Sequence, residues 1–368
     1  MSNKAISVLH VSTPKSWRGG EQQLAYLYEE LQSKNVTQFI LCRKGGELAI
    51  KGKAKGWNII ESEKITAIDI NFARKIKVIC KAHNIDLVHT HDSHAHSFAI
   101  LSATLWGNKT PIVVSRRVDF AIKPTWFSKY KYNHPLVKRI LCVSNAIKEI
   151  TAPDIIDQSV LKTVHSGIDL SRFKDSNKDS NILRKEFNIA PDTKIIGNVA
   201  ALAPHKDYYT FVDTVEILIK EDKNYHFFII GTGPLEQEIK AYVDSKNLNK
   251  QITFTGFRSD IPQVLPELDV FLITSETEGL GTSVIDAFVC KVPVVATKAG
   301  GIPELVKHKE TGFLAEVKDA KVLAEHVNLL FSGSIDLEAI VANQQDLLKQ
   351  FTREATAEKS LKEYYSIL

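Results

Sequence analysis

No apolar run in this 368-residue chain is as long as a membrane span. The longest candidate window, HSFAILSATLW at 96–106, falls well short of the roughly 18–20 residues required, so the chain is not expected to cross a bilayer. The opening apolar stretch, AISVLHV at 5–11, is short and runs directly into polar residues; no secretory leader is expected. Cysteine is scarce. Cys42, Cys80, Cys142 and Cys290 form no Cys-x-x-Cys pair and lie near no zinc-spaced histidine cluster, which argues against a zinc ribbon or a disulfide framework. Reduced thiols in a cytoplasmic protein are the simplest reading, with Cys142 and Cys290 as small buried hydrophobes within apolar runs. There is no Asp-x-Asp pair, no low-complexity tract and no short repeat.

What is present is ordinary globular material. The chain is 44% hydrophobic and 24% charged, and its length favours two domains, because single cores rarely grow past about 250–300 residues. The net charge of +4 is unevenly spread. Residues 1–165 hold 24 Lys and Arg against 13 Asp and Glu; the remainder holds 23 against 30. A basic front half suits anionic lipid headgroups or an anionic acceptor, or is a surface bias with no partner.

Short β-branched runs alternate with amphipathic stretches. Strands are expected at 6–12, 37–43, 86–91, 111–116 and 139–144, and a helix over 21–34 with Leu24, Leu27, Tyr28 and Leu31 on one face. The alternation pauses in the polar stretch DLSRFKDSNKDSNILRKEF, which has linker composition. It resumes with strands at 193–200, 225–231, 251–256, 269–274 and 292–297. This pattern predicts two consecutive Rossmann-like α/β units with parallel sheets. The last residues, 336–351 and 352–368, read as helices.

The densest chemistry lies in SETEGLGTSVIDAFVCKVPVVATKAGGIPELV, residues 275–306. Gly279 and Gly281 allow a tight turn, and Thr282 or Ser283 can cap a following helix. A glycine turn leading from strand to helix start offers free N–H groups and a favourable dipole to phosphate; it can equally be a plain structural turn. Glu278 and Asp286 flank it. Acids beside a phosphate cradle can hold sugar and ribose hydroxyls, although Asp286 can also simply answer the helix dipole.

With its EGLG core, PVVA strand and GGIPE loop, this segment resembles the donor-site signature of family 4 glycosyltransferases. HSGIDLSRF (165–173), GTGPLEQEIK (231–240), FTGFRSDIPQVLPELDVFLITS (254–275) and RILCVSNAIKE (139–149) match the family in order and spacing, so the likeness covers nearly the whole chain. The resemblance implies the GT-B architecture, two facing Rossmann-like domains with a cleft between them. The acceptor-side domain would span 1–168 and the donor-binding domain 169–351, with the terminal helix 352–368 packing back on the first. It further implies that Glu278 contacts the donor sugar, and that the N–H groups of Gly279, Leu280, Gly281 and Thr282 bind diphosphate. Asp286 would bind ribose, Phe257 and Arg258 would lie beside the base, and Lys206 would pair with phosphate. Two departures stand out. The second acid is Asp286 where the family usually has Glu. Ala201 occupies the place of a phosphate-binding Arg, and Arg116, Arg117 and Lys298 are candidates to replace that charge.

In the front half, Gly19 and Gly20 in KSWRGGEQQLAYL resemble the family's glycine loop, facing the donor; an ordinary β–α turn is the plain alternative. HTHDSHAH (89–96) has four histidines but one nearby carboxylate, Asp92. Metal binding, burial or capping, and substrate contact are all readings of it; His91, at the strand end, is the candidate contact. Arg116 and Arg117 stand where relatives carry a strand-end His, and either an anionic substrate or a surface ion pair accounts for them. Residues 123–140 interleave Trp126, Phe127, Tyr130 and Tyr132 with Lys123, Lys129 and Lys131, a composition suited to a membrane interface; no nucleic-acid motif accompanies it.

The resemblance implies a retaining transfer of a hexose-type sugar from a nucleoside-diphosphate sugar to a glycan or lipid-linked acceptor, as in bacterial surface-polysaccharide synthesis. The departing diphosphate would assist, and no metal or other cofactor is expected. The implied location is the cytoplasm, with peripheral contact on the anionic inner face of its membrane. A nucleotide-sugar epimerase of the same fold and a non-catalytic nucleotide-sugar binder are the rival readings.

Overall fold

The computed structural model describes residues 5–64, 66, 69–220 and 224–368. The chain divides into two compact units. One runs to Gly167 and takes in Arg353–Leu368; the other is Ile168–Thr352.

The first unit is built on a seven-stranded sheet. Its strands are β1 (Ile6–Ser12), β2 (Val36–Arg43), β3 (Ile59–Ser62), β4 (Leu87–Thr90), β5 (Ile112–Arg116), β6 (Val137–Cys142) and β7 (Leu161–Thr163). They pair in the order β3-β2-β1-β4-β5-β6-β7, and every pairing is parallel. Parallel strands need crossover helices, which cover both faces. The period of two along β1 shows this. Leu9 and Val11 enter a core with Phe72, Ile76 and Phe98, while Ile6 and Val8 enter one with Leu27, Leu31 and Tyr364. The second face is thus covered by the helix Gly19–Gln32 and by the C-terminal helix Arg353–Tyr365. Arg353 ties the latter down through Glu30, Nε to Oε1 at 2.8 Å, and Arg139 does so through Glu363 at 2.7 Å.

The second unit has six parallel strands, β8 (Lys194–Val199), β9 (Tyr225–Ile230), β10 (Ile252–Gly256), β11 (Val270–Ile273), β12 (Val294–Thr297) and β13 (Phe313–Ala315). Their order is β10-β9-β8-β11-β12-β13. Alternate residues again feed two cores: Ile195, Phe271 and Ile273 one, and Ile196, Val270 and Leu272 the other. Both sheets reverse their strand order beside their first strand, the topological switch point where ligands of such folds bind beyond the strands' carboxyl ends.

The expected α/β class with two parallel sheets is what the chain adopts. Three strands escape sequence reading. β3, β7 and β13 are three- or four-residue edge strands, too short to display a period. The polar stretch after β7 is also more ordered than its composition implies. It holds a helix, Ile182–Glu186, whose first N–H groups are met by Glu267 from elsewhere in the chain. No helix among the described residues is long and apolar enough to cross a membrane.

Candidate active site

At the switch point of the second sheet, the loops after β8 and β11 are bound to each other. Thr274 Oγ1 donates to the carbonyls of Lys206 (3.3 Å) and Asp207 (2.9 Å), and Glu276 N donates to His205 O at 2.8 Å. Asp207, in the left-handed region at φ +43°, turns the chain into the helix Tyr208–Ile219 and caps it. This lacing brings Lys206 to Glu278, Nζ to Oε1 at 2.5 Å, with both side chains largely buried. Ser275 Oγ donates to the same oxygen at 2.8 Å. Glu278 Oε2 has no partner among the described residues. The backbone of Glu278 is clamped from behind, where Gly301 N donates to its carbonyl at 3.0 Å. Gly300, at φ +49°, passes so close that an added Cβ would stand 2.0 Å from that carbonyl; only glycine fits there.

The loop after Glu278 exposes backbone, not side chain. Leu280 is buried in the core, and Gly281 at φ +86° opens the helix Thr282–Val289. Among the described residues, the N–H groups of Gly279 to Thr282 have no backbone acceptor, as the first turn of a helix leaves them. These groups and the helix dipole are of the kind that can receive an anion, beside the Lys206–Glu278 pair. Asp286 lies one turn on. Its Oδ1 is occluded and unpartnered among the described residues, and burial pushes its carboxyl up to about 6, partly opposed by Arg172.

Phe257 stands 80% exposed after β10. Arg258 does not present its side chain to a base: the guanidinium is held by Asp260 (2.9 and 2.7 Å) and Glu186 (2.8 Å), leaving only its backbone for such a contact. Ala201 is exposed, and Lys298 is engaged with Glu316 at 2.5 Å.

In the first unit, Gly19 and Gly20 open the helix Gly19–Gln32, whose Glu21 accepts from Arg18 N at 3.0 Å. Neither glycine has a positive φ, and a Cβ on either would meet nothing within 4 Å. The fold does not demand glycine here, so the missing side chains leave room rather than conformation. Arg116 corrects a sequence expectation. It is buried, and its donors reach Thr151 Oγ1 at 3.2 Å, Tyr132 OH at 3.0 Å and the Phe120 carbonyl. Aimed inward, it braces the unit and presents no donor to a diphosphate. Arg117 differs. Nη1 lies 3.5 Å from the Gly20 carbonyl, and Nε is buried with no partner among the described residues.

The histidines of HTHDSHAH separate. His96 turns to the Lys131 carbonyl. His89 lies between Tyr364 OH (2.6 Å) and Ser115 Oγ (2.9 Å). His91, just past β4, meets His10 of β1, Nε2 to Nδ1 at 3.0 Å. His10 Nε2 in turn meets Gln38 Oε1 at 3.2 Å. His10, His89 and His91 bring ring nitrogens within 4.8 Å of one another. Both nitrogens of His10 and both of His89 are already in hydrogen bonds, and no carboxylate joins the cluster. It is a hydrogen-bonded network in the first sheet's switch region. Burial holds all three rings neutral, His10 down to about 4 and the others well below the ordinary range. Sequence patterning does not single out Gln38, and the one signal for His10 is a histidine inside the apolar run ISVLHVS.

The aromatic–basic segment also divides. Trp126 is 77% exposed and stacks on Tyr130, centroids 5.3 Å apart. Lys131 is buried against Ser93 and Ser97, and burial lowers its ammonium to about 8. It is not the surface cation its sequence position implied.

Comparison with known proteins agrees with this geometry. The family description "Glycosyltransferase Family 4" matches residues 17–172, and "Glycosyl transferases group 1" matches 179–347. A UDP-Gal:alpha-D-GlcNAc-diphosphoundecaprenol alpha-1,3-galactosyltransferase of Escherichia coli is 24% identical over 334 residues, 86% of each chain. An N-acetyl-alpha-D-glucosaminyl L-malate synthase of Bacillus anthracis is 24% identical, covering 82% of this chain and 80% of its own. Among solved structures, a glycosyltransferase from Rickettsia africae superposes with a TM-score of 0.86 at 21% identity over 99% of both chains. The Anabaena protein HepE in complex with UDP superposes at 0.85 and 20% identity, over 99% of this chain and 100% of its own. With one family match on each unit and relatives running most of its length, this chain belongs to the family 4 glycosyltransferases and is a sugar-transferring enzyme.

Proposed function

We propose that the enzyme moves a hexose-type sugar, with retention of configuration and without a metal, from a nucleoside-diphosphate sugar to a glycan or lipid-linked acceptor. The observation that carries this reading is the Lys206–Glu278 pair at the β8/β11 switch point, beside the unpartnered N–H groups of Gly279 to Thr282. The N–H groups and Lys206 hold the diphosphate, and the free oxygen of Glu278 accepts from the sugar's hydroxyls. Asp286 takes the ribose, and Phe257 with the backbone of Arg258 lies against the base. Arg117, not Arg116, keeps a donor for an anionic substrate group, near the open glycines 19 and 20. His91 contacts a substrate hydroxyl. Catalysis then rests on positioning and on stabilising the leaving diphosphate.

The relatives' names support the substrate classes. The E. coli protein uses a UDP-sugar and a diphosphate-linked lipid acceptor, and HepE was also crystallised with UDP-glucose. A cytoplasmic site on the membrane's inner face suits a lipid-linked acceptor, with Trp126 and the exposed lysines of the first unit as the contact. The test is release of nucleoside diphosphate from UDP-, GDP- and ADP-sugars, with the product's anomeric configuration read by NMR. Turnover with a UDP-hexose is expected, unchanged by chelator, and about 100-fold lower in Glu278→Gln, which keeps shape but not charge. Normal turnover in that variant, or an inverted product, defeats the proposal.

A further inference from the structure

A neutral imidazole carries one proton, and which nitrogen bears it is decided by its neighbours. The chain of contacts ending at His91 allows one answer. The Tyr28 carbonyl can only accept, so Gln38 turns its amide nitrogen to it, at 3.0 Å, and its Oε1 to His10. Facing an acceptor, His10 Nε2 must carry the proton, which leaves His10 Nδ1 bare. Nδ1 faces His91 Nε2 at 3.0 Å, so His91 carries its proton on Nε2 and its Nδ1 is a bare lone pair. That nitrogen is buried and has no partner among the described residues.

We propose that Gln38 and His10 are positioning residues: they set the tautomer of His91, so that it meets a substrate hydroxyl as a hydrogen-bond acceptor, through Nδ1, and never as a donor. This rests on the reading of His91 as a substrate contact. Register supports the design. His10 pairs with His89 across β1 and β4, and His91 follows two residues on, so all three rings share one face of the sheet. Burial keeps His10 neutral, and the Gln38 oxygen facing Nε2 fixes where its one proton sits. An unpartnered buried acceptor is costly in the free protein, and that cost is relieved when a hydroxyl reaches it. The group that arrives must be a donor, which a sugar hydroxyl is and a phosphate ester oxygen is not.

The full-length enzyme, labelled with ¹⁵N in its imidazole rings, reports the tautomer directly by NMR at neutral pH. The expected result is a protonated Nε2 and a bare Nδ1 on His91, assigned by correlating the ring with its own backbone. His10→Phe fills the space but offers no acceptor. His91 should then populate both tautomers, with kcat about tenfold lower and the donor KM unchanged, on the scale seen when a group that orients another's ring is removed. His10→Asn sets an amide oxygen near the lost Nδ1 and should recover most of the rate. A wild-type His91 protonated on Nδ1 overturns the proposal, whether or not any variant folds. A normal His10→Phe enzyme beside a crippled His91→Phe enzyme overturns the relay alone. A normal His91→Phe enzyme overturns the reading beneath it.

Discussion

Asp286 shows how a residue that looks conservative from sequence acquires its own chemistry. Its carboxyl sits where burial disfavours the charge, which is why its pKa rises to about 6. The folded chain therefore holds this proton more tightly than the unfolded chain, where Asp ionises near 3.9. The stability linked to it is fully present below that value and is lost as pH climbs through about 6. Ribose hydroxyls are donors and favour the ionised form, so donor binding should run the other way. Affinity for a nucleotide sugar, whose diester phosphates do not titrate in this range, should rise about tenfold from pH 5 to pH 7. Calorimetry across that range tests it, and Asp286→Asn should flatten the profile. Arg116 and Arg117 make the same point about context. They are adjacent in sequence, yet one is bonded inward and the other keeps a free donor.

At the scale of elements, the polar stretch around 170–190 is instructive. Composition reads it as linker, yet Glu267, 3% exposed, accepts from Ser180 Oγ and Ile182 N at 2.6 Å and from Leu183 N at 3.1 Å. A distant carboxylate thus does what a local capping residue ordinarily does, and its charge suits the helix start. Glu267→Gln should cost about 1.5–3 kcal/mol of stability, the range for hydrogen bonds to a charged group. Turnover per folded molecule should be untouched. Urea denaturation followed beside the transfer assay separates the two, and an unchanged midpoint removes Glu267 from this role.

For the molecule as a whole, the surplus of basic residues before position 165 needs a partner or is idle. The structure narrows which of them can meet a membrane. Lys123, Lys129 and Lys138 are exposed near Trp126 in the chain, whereas Lys131 is buried. Each exposed cation near an anionic surface contributes about 1 kcal/mol, screened by salt. Liposomes rich in anionic lipid should therefore sediment the enzyme at low ionic strength and release it as salt rises. The triple change of Lys123, Lys129 and Lys138 to Glu should weaken binding by about two orders of magnitude or more; indifference to it assigns the charge no membrane role. Including Lys131 in such a variant would confuse the result, because a buried carboxylate destabilises the fold.

Strand and helix alternation, the α/β class and the family signature at 275–306 were all legible in the sequence, because each is written in residues close together in the chain. A period of two or 3.6 needs only a handful of neighbours, and a glycine turn announces itself. The edge strands were not legible, being too short to carry a period. Nor were the partners of the chemical groups. Lys206 and Glu278 are 72 positions apart, and His10 and His91 are 81 apart. Parallel sheets bring together strand ends that are remote in sequence. Whether a given lysine, arginine or histidine faces a ligand, a neighbour or the core was therefore decided by the tertiary structure alone.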